Sequence, residues 1–336
     1  MSKIKIAILT LSLFFCISSA NATIQTTVSP EFGSMGGTTE YDMDIEFNYI
    51  DTTGVIPTSV RWKLRSLLEF PLDVYFGGLS AHFNSIEDPN RWKFHLKYLT
   101  NLNNPDGSMV DSDWEEVSNQ FPYTKFSETN SNSKIKLSYL EAEFQFSIVE
   151  KRNFVLSLFA GGSYQKLEND IIGLEGWQRQ YDTVSNTYGD QFYFDVYQDS
   201  LVGTYEQTVK QIRIGLISDI NLSQQLSSQI KFGFAPAFYK DIDDHVLRFK
   251  LSDSDGDGKG IYSGFSLQYN MSQSGFSFIR LNSTYTYFTA HGSQTQTWYA
   301  DDPASPEDDT GESYSGLPHT VRTKQYTIGL EAGYTF

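Results

Sequence analysis

The chain has 336 residues, 39% hydrophobic and 15% aromatic, with 41 acidic residues against 25 Lys plus Arg. A net charge of −16 excludes nucleic acid as a partner, because phosphate binding needs a basic face. The 21 Tyr and 25 Phe exclude a disordered acidic chain.

Residues 1–22 read as a leader. Lys3 and Lys5 precede an apolar stretch at 6–17, and Ala20-Asn21-Ala22 has the small-x-small form that signal peptidase cleaves. The stretch is too short for a membrane-spanning helix. Cleavage after Ala22 removes Cys16, the one cysteine, so the mature chain has no disulfide and no cysteine metal ligand. Export without disulfides points to a bacterial envelope protein.

Beyond the leader the apolar residues alternate with period two. Tyr41, Met43, Ile45, Phe47 and Tyr49 interleave with polar residues, as do Val60, Trp62 and Leu64, then Trp92, Phe94, Leu96 and Tyr98. The last such run is Tyr326, Ile328, Leu330, Ala332, Tyr334 and Phe336. Successive side chains of a strand point to opposite faces, so each run is a strand with one apolar face. Ten strands are expected, near 41–50, 59–83, 91–101, 134–149, 153–166, 205–219, 227–240, 261–271, 276–290 and 321–336. Short turns near 84–90, 150–152, 220–226 and 272–275 alternate with long loops near 51–58, 102–133, 167–204, 241–260 and 291–320.

This pattern predicts an all-β fold: a ten-stranded antiparallel transmembrane β-barrel, with short periplasmic turns and long extracellular loops, filling residues 23–336 as one domain. Phe336 ending the last strand fits an outer-membrane barrel. Several strands exceed the ~9–11 residues that cross a bilayer, so the barrel should project beyond it. An open aqueous channel takes about sixteen strands, so side chains should fill this lumen and a general porin is disfavoured.

Two acid clusters fall at the outer rim. Asp111-Ser112-Asp113-Trp114 lies in the second long loop, and Asp241-Ile242-Asp243-Asp244-His245 leaves strand seven. In a ring of ten these strands nearly face each other. If strand seven continues, Asp241, Asp243 and His245 share a face. Asp243 can then orient His245 as a general base. Asp111 and Asp113, side by side, cannot both ionise cheaply, so one can hold a proton and act as an acid. A water between the pairs could attack a carbonyl without a Ser or Cys nucleophile.

At these residues the chain resembles the omptin family of outer-membrane endopeptidases. The similarity rests on Gly-Ser-Met-Val-Asp-Ser-Asp-Trp at 107–114, on Asp241-x-Asp243-x-His245 and on Gly37-Thr38-Thr39-Glu40. The resemblance implies a catalytic carboxylate pair at Asp111 and Asp113, and a water-activating dyad at Asp243 and His245. It gives Glu40 and Asp241 the role of an anionic pocket for the basic side chain before the cleaved bond. It further implies cationic peptide or protein substrates, no cofactor or metal, and a requirement for lipopolysaccharide. The site would face outward from the bacterial outer membrane.

Other features carry less. Asp253-Ser254-Asp255-Gly256-Asp257-Gly258 starts like a calcium loop but has Gly264 where the closing Glu belongs, and reads as a flexible acidic loop. The acid-rich segment 301–312 reads as solvated. His82, His95, His291 and His319 have no partner at catalytic spacing, and His95 should point into the lumen. Arg61, Lys63 and Arg65 suit a lumenal or rim position at least as well as the outer wall. The alternative function is a non-catalytic barrel, an adhesin or receptor acting through its acidic extracellular loops.

Overall fold

In the computed structural model the described residues are 24–51, 58–103, 106–117, 121–182, 187–271, 277–303, 305 and 308–336. The expected leader at 1–22 and turn at 272–275 lie outside them. Among the described residues thirteen strands follow one another: β1 (Ile24–Asp51), β2 (Thr58–Pro71), β3 (Val74–Ser85), β4 (Trp92–Asn101), β5 (Asp106–Val117), β6 (Phe121–Lys151) and β7 (Phe154–Asp182). Then come β8 (Thr187–Asn221), β9 (Leu226–Phe234), β10 (Ala237–His245), β11 (Lys250–Asn270), β12 (Ser277–Trp298) and β13 (Ser313–Thr335). Among the described residues no helix is long and apolar enough to cross a membrane.

The thirteen strands fill ten places round a ring. β2 and β3 both pair with β1, β4 and β5 both pair with β6, and β9 and β10 both pair with β8 and β11. Each couple is one barrel strand with a break. Prolines explain two of the breaks, since Pro71 and Pro236 have no N–H to give the ladder. At the first, Leu72 N–H instead donates to the Gly37 carbonyl at 3.0 Å. Gly37 has φ 122°, where a Cβ would collide with the Lys324 carbonyl oxygen. Every pairing is antiparallel, and β13 meets β1 from Thr27↔Thr335 to Met43↔His319, which closes the sheet.

The apolar face changes sides along the strands. Near the short turns it faces outward: Phe32, Leu79, Leu140, Phe144, Ile214, Phe232, Ile328 and Leu330 are all exposed. Such a belt on a closed barrel is the surface that a bilayer covers. Farther up, water surrounds the outer wall and the apolar side chains turn in. Tyr41, Met43, Leu68, Phe70, Met109, Ile171, Val202 and Tyr205 form one buried cluster there. On β1 alone, Phe32 is 56% exposed whereas Tyr41 is 3% exposed.

This upper tier corrects several expectations. Most of 102–133, 167–204, 241–260 and 291–320 is strand rather than loop, and β8 reaches 35 residues. The first strand starts at Ile24, and its 41–50 stretch belongs to the upper tier. The segment 253–258 is not a flexible loop: Asp253, Asp255 and Asp257 are outward positions of β11, and Asp253 pairs with Lys240 at 3.1 Å. Arg61, Lys63 and Arg65 lie on the outer wall, paired with Glu116, Asp44 and Asp42. Outward charges on both strands of a hairpin stay hydrated while the backbone ladder continues, so polarity was a poor sign of where strands end.

Inside the belt the lumen is filled. Lys231 pairs with Glu143 at 2.7 Å, Lys97 with Glu31 at 2.9 Å, Arg213 with Glu141 at 2.5 Å and Arg280 with Glu331 at 3.1 Å. His82 and His95 stack at 4.3 Å between ring centroids, with His95 inward as expected. A cavity of about 390 Å³ remains at the end with the short turns.

Candidate active site

Above the belt, four barrel strands present polar side chains to the inner face. β5 contributes Asp111 and Asp113, set opposite Leu68 and Ser66 of β2. β10 contributes Asp241, Asp243 and His245, and β11 contributes Lys250, Ser252 and Ser254. β13 adds His319. The strand pleat places each set on one side, since every one of these groups is spaced by two residues.

Asp243 is buried, and its Oδ2 lies 2.8 Å from His245 Nε2. Burial pushes its carboxyl up, but His245 and Lys250 outweigh that and hold it below the ordinary carboxylate range. The other pair behaves oppositely. Burial, then Asp113, then Asp243 push Asp111 well up. Burial also raises Asp113, against the Ser66 hydroxyl, Lys250 and His245. One centre therefore holds an ionised carboxylate bound to an imidazole and a carboxyl pair that favours keeping a proton. The two sets interact across the barrel: Asp243 acts on Asp111, and His245 acts on Asp113.

Asp241 sits deeper, 1% exposed. It accepts hydrogen bonds from Ser254 Oγ and, at 3.2 Å, from Tyr205 Oη. Burial pushes its carboxyl up to about 8. His319 Nε2 approaches it at 3.8 Å, and His319 Nδ1 meets Tyr239 Oη at 3.0 Å. Burial pulls this imidazole down to about 4. Both groups are thus neutral near pH 7. The Tyr41 ring stands 4.0 Å from His319, and its hydroxyl donates to Gln294.

Five of the six expected site residues are brought together. Glu40 is not. It shares the outer face of β1 with Asp42 and reaches Arg322 at 3.3 Å and Lys324 at 3.8 Å. Thr39 and Tyr41, its neighbours in sequence, are the inward ones, with Thr39 hydrogen-bonded to Thr323 at 2.8 Å.

Three further residues at the site are not evident from the sequence. His319 has no partner at catalytic spacing in the sequence, because Tyr239, its hydrogen-bond partner, and its neighbour Asp241 are on another strand. Lys250 falls in an expected loop. Asp302 falls in the acid-rich segment expected to be solvated, yet it is 1% exposed and holds Arg248 Nε at 2.8 Å and Trp298 Nε1 at 3.4 Å. It thereby ties the 3-10 turn Val246–Arg248, which joins β10 to β11, to the end of β12. The period-two pattern around Lys250, Ser252 and Ser254 was the one signal available for finding Lys250.

Among solved structures, the chain is similar to the outer membrane protease OmpT from Escherichia coli, with TM-score 0.68 and 13% identity over 93% of this chain and 97% of that one. At that identity the likeness shows the fold alone. The translocator domain of the autotransporter NalP from Neisseria meningitidis has TM-score 0.29 and 11% identity, covering 100% of this chain and 98% of its own. The outer membrane protein OprG from Pseudomonas aeruginosa has TM-score 0.25 and 12% identity, covering 92% and 96%. No curated relative matches the sequence. The Omptin family model matches residues 34–336. With a closed all-β barrel and its apolar belt, the chain is an outer-membrane protein, and it belongs to the omptin family.

Proposed function

We propose that this protein is an outer-membrane endopeptidase that cleaves beside basic residues, using a water activated by Asp243 and His245. The observation that carries the reading is the 2.8 Å dyad set in electrostatic reach of the Asp111–Asp113 pair. His245 Nε2 faces Asp243, which leaves Nδ1 to take a proton from water as the oxygen attacks the carbonyl carbon. The carboxyl pair, holding a proton because it is buried, supplies it to the departing amine nitrogen. No cysteine or serine intermediate is required.

Asp241 is the carboxyl proposed to answer a substrate guanidinium. Glu40, turned to Arg322 and Lys324 on the outer wall, takes no part in this pocket. Cationic peptides and proteins are the proposed substrates, supported by the net charge of −16. Lipopolysaccharide is the proposed lipid partner. On β13, Arg322 and Lys324 follow Tyr326 up the outer wall, and Arg322 shares Asp42 with Arg65. The cleft is proposed to open on the extracellular side, away from the short turns.

The test is hydrolysis of a quenched Arg-containing peptide by refolded protein supplied with lipopolysaccharide. His245→Ala and Asp243→Ala should each lower kcat by about 10²–10⁴-fold, the usual size of a general-base contribution. Unchanged turnover in either variant would remove this mechanism. Peptide binding without turnover in the wild-type protein would point to an adhesin instead.

A further inference from the structure

Lys250 opens β11 directly across the hairpin from His245. Its side chain is on the inner face and 8% exposed. The ammonium lies 6.0 Å from the Trp298 ring centroid. Asp243 and His245 from β10, Asp111 and Asp113 from β5, and Arg248 from the turn are the charged or titratable groups around it. Among the described residues it forms an ion pair with none of the three carboxylates.

Two buried polar atoms beside it also lack partners. One is Asp111 Oδ1; the other is Ser252 Oγ, which lies directly across from Asp243. A buried polar group without a partner is costly, and more so when charged. The centre thus holds a donor and two other polar atoms whose hydrogen-bonding capacity is unmet. A peptide group would meet it, because its carbonyl oxygen accepts from an ammonium and its N–H donates to a carboxylate.

We propose that Lys250 is a further catalytic residue of this site, donating a hydrogen bond to the carbonyl oxygen of the bond being cleaved. The proposal rests on the hydrolase reading above. As the water oxygen bonds to the carbonyl carbon, the C=O π pair moves onto oxygen and the water proton goes to His245. Lys250 holds the resulting alkoxide without giving up its proton. The pair then returns to carbon, the C–N bond breaks, and the amine nitrogen takes a proton from the Asp111–Asp113 pair. Preorganised donors of this kind act where negative charge develops, so the effect falls on kcat and not on substrate binding.

The experiment uses the full chain, refolded with lipopolysaccharide, and the same quenched Arg peptide. Lys250→Met should lower kcat by about 10²-fold or more with KM nearly unchanged, and Lys250→Arg should keep part of the rate. A chemical rescue separates charge from packing. Lys250→Cys in a Cys16→Ser background carries one thiol, and 2-bromoethylamine converts it to an aminoethyl thioether of lysine length. Activity should return on alkylation of the same folded sample, and its alkaline limb should move to lower pH, because that amine is more acidic than lysine. This arm also serves if Lys250→Met does not fold. Turnover of Lys250→Met or unalkylated Lys250→Cys at the wild-type kcat would overturn the role of Lys250 and leave the hydrolase reading standing. A change confined to KM would do the same. A wild-type protein with no hydrolysis would overturn both.

Discussion

At the scale of single residues, the candidate site gives chemically identical carboxyls different surroundings. Asp243 touches an imidazole and stays ionised, whereas Asp241, with only hydroxyl donors and a long approach to His319, is pushed up to about 8 by burial. A guanidinium arriving beside Asp241 favours its charged form, so binding an Arg peptide should release a proton. KM for that peptide should therefore fall as pH rises toward 8, and should lose this dependence in Asp241→Asn; steady-state kinetics across the range checks it. His319 gives a stability prediction of known sign. Its folded-state value, pulled from 6.5 to about 4 by burial, means that the neutral imidazole is favoured in the fold. The stabilisation is whole above pH 6.5 and is lost as pH falls through about 4, with an upper size of about 3 kcal/mol. Urea unfolding in detergent at neutral and acid pH should show a smaller acid-side loss for His319→Gln than for the wild type.

At the scale of elements, two hairpins are tied together beside the proposed catalytic groups. Arg248, in the turn between β10 and β11, and Trp298, at the end of β12, both hold Asp302. The turn carries His245 on one side and Lys250 on the other, with Phe249 left-handed at φ 51°. Asp302→Asn should loosen that turn. Arg248 is half exposed and can rehydrate, so the expected loss of stability is small, about 1 kcal/mol. The loss of kcat should be larger than the loss of stability implies, because a misplacement of about 1 Å can cost ~10²-fold in rate. Comparing peptide turnover with urea midpoints in this variant separates the two. Glu40 shows how an element overrules a motif. Gly37-Thr38-Thr39-Glu40 fits the family pattern, but the pleat of β1 sends Thr39 and Tyr41 inward and Glu40 out to Arg322.

At the scale of the whole molecule, two long-range properties follow. Excess negative charge should attract the proposed cationic substrates over distances that salt screens, with a Debye length of about 8 Å at physiological ionic strength. For a peptide with several Lys or Arg, kcat/KM should fall as salt rises, and kcat should change less; a salt series of progress curves measures both. The lumen inside the belt is crossed by Lys231–Glu143, Lys97–Glu31 and Arg280–Glu331 pairs, with His82 stacked on His95. Planar-bilayer recordings should therefore show no porin-like conductance.

Period-two alternation by itself determined that the chain is all-β, because one apolar face per strand is a property of local sequence; the leader, Phe336 at the end of the last strand and the alternation of short and long connections pointed to a barrel of ten. The spacing of Asp111 with Asp113, and of Asp241, Asp243 and His245, determined which side chains share a face for the same reason. Only the tertiary structure decided which face that is. Above the bilayer the outer wall meets water, so the apolar residues turn inward there and outward below, and local alternation reads alike in both tiers. The same closure brought Asp241 to His319, and Asp111 and Asp113 to Lys250, from strands far apart in sequence. Those encounters depend on register and ring closure, which are set by the pairing of whole strands and not by any one segment.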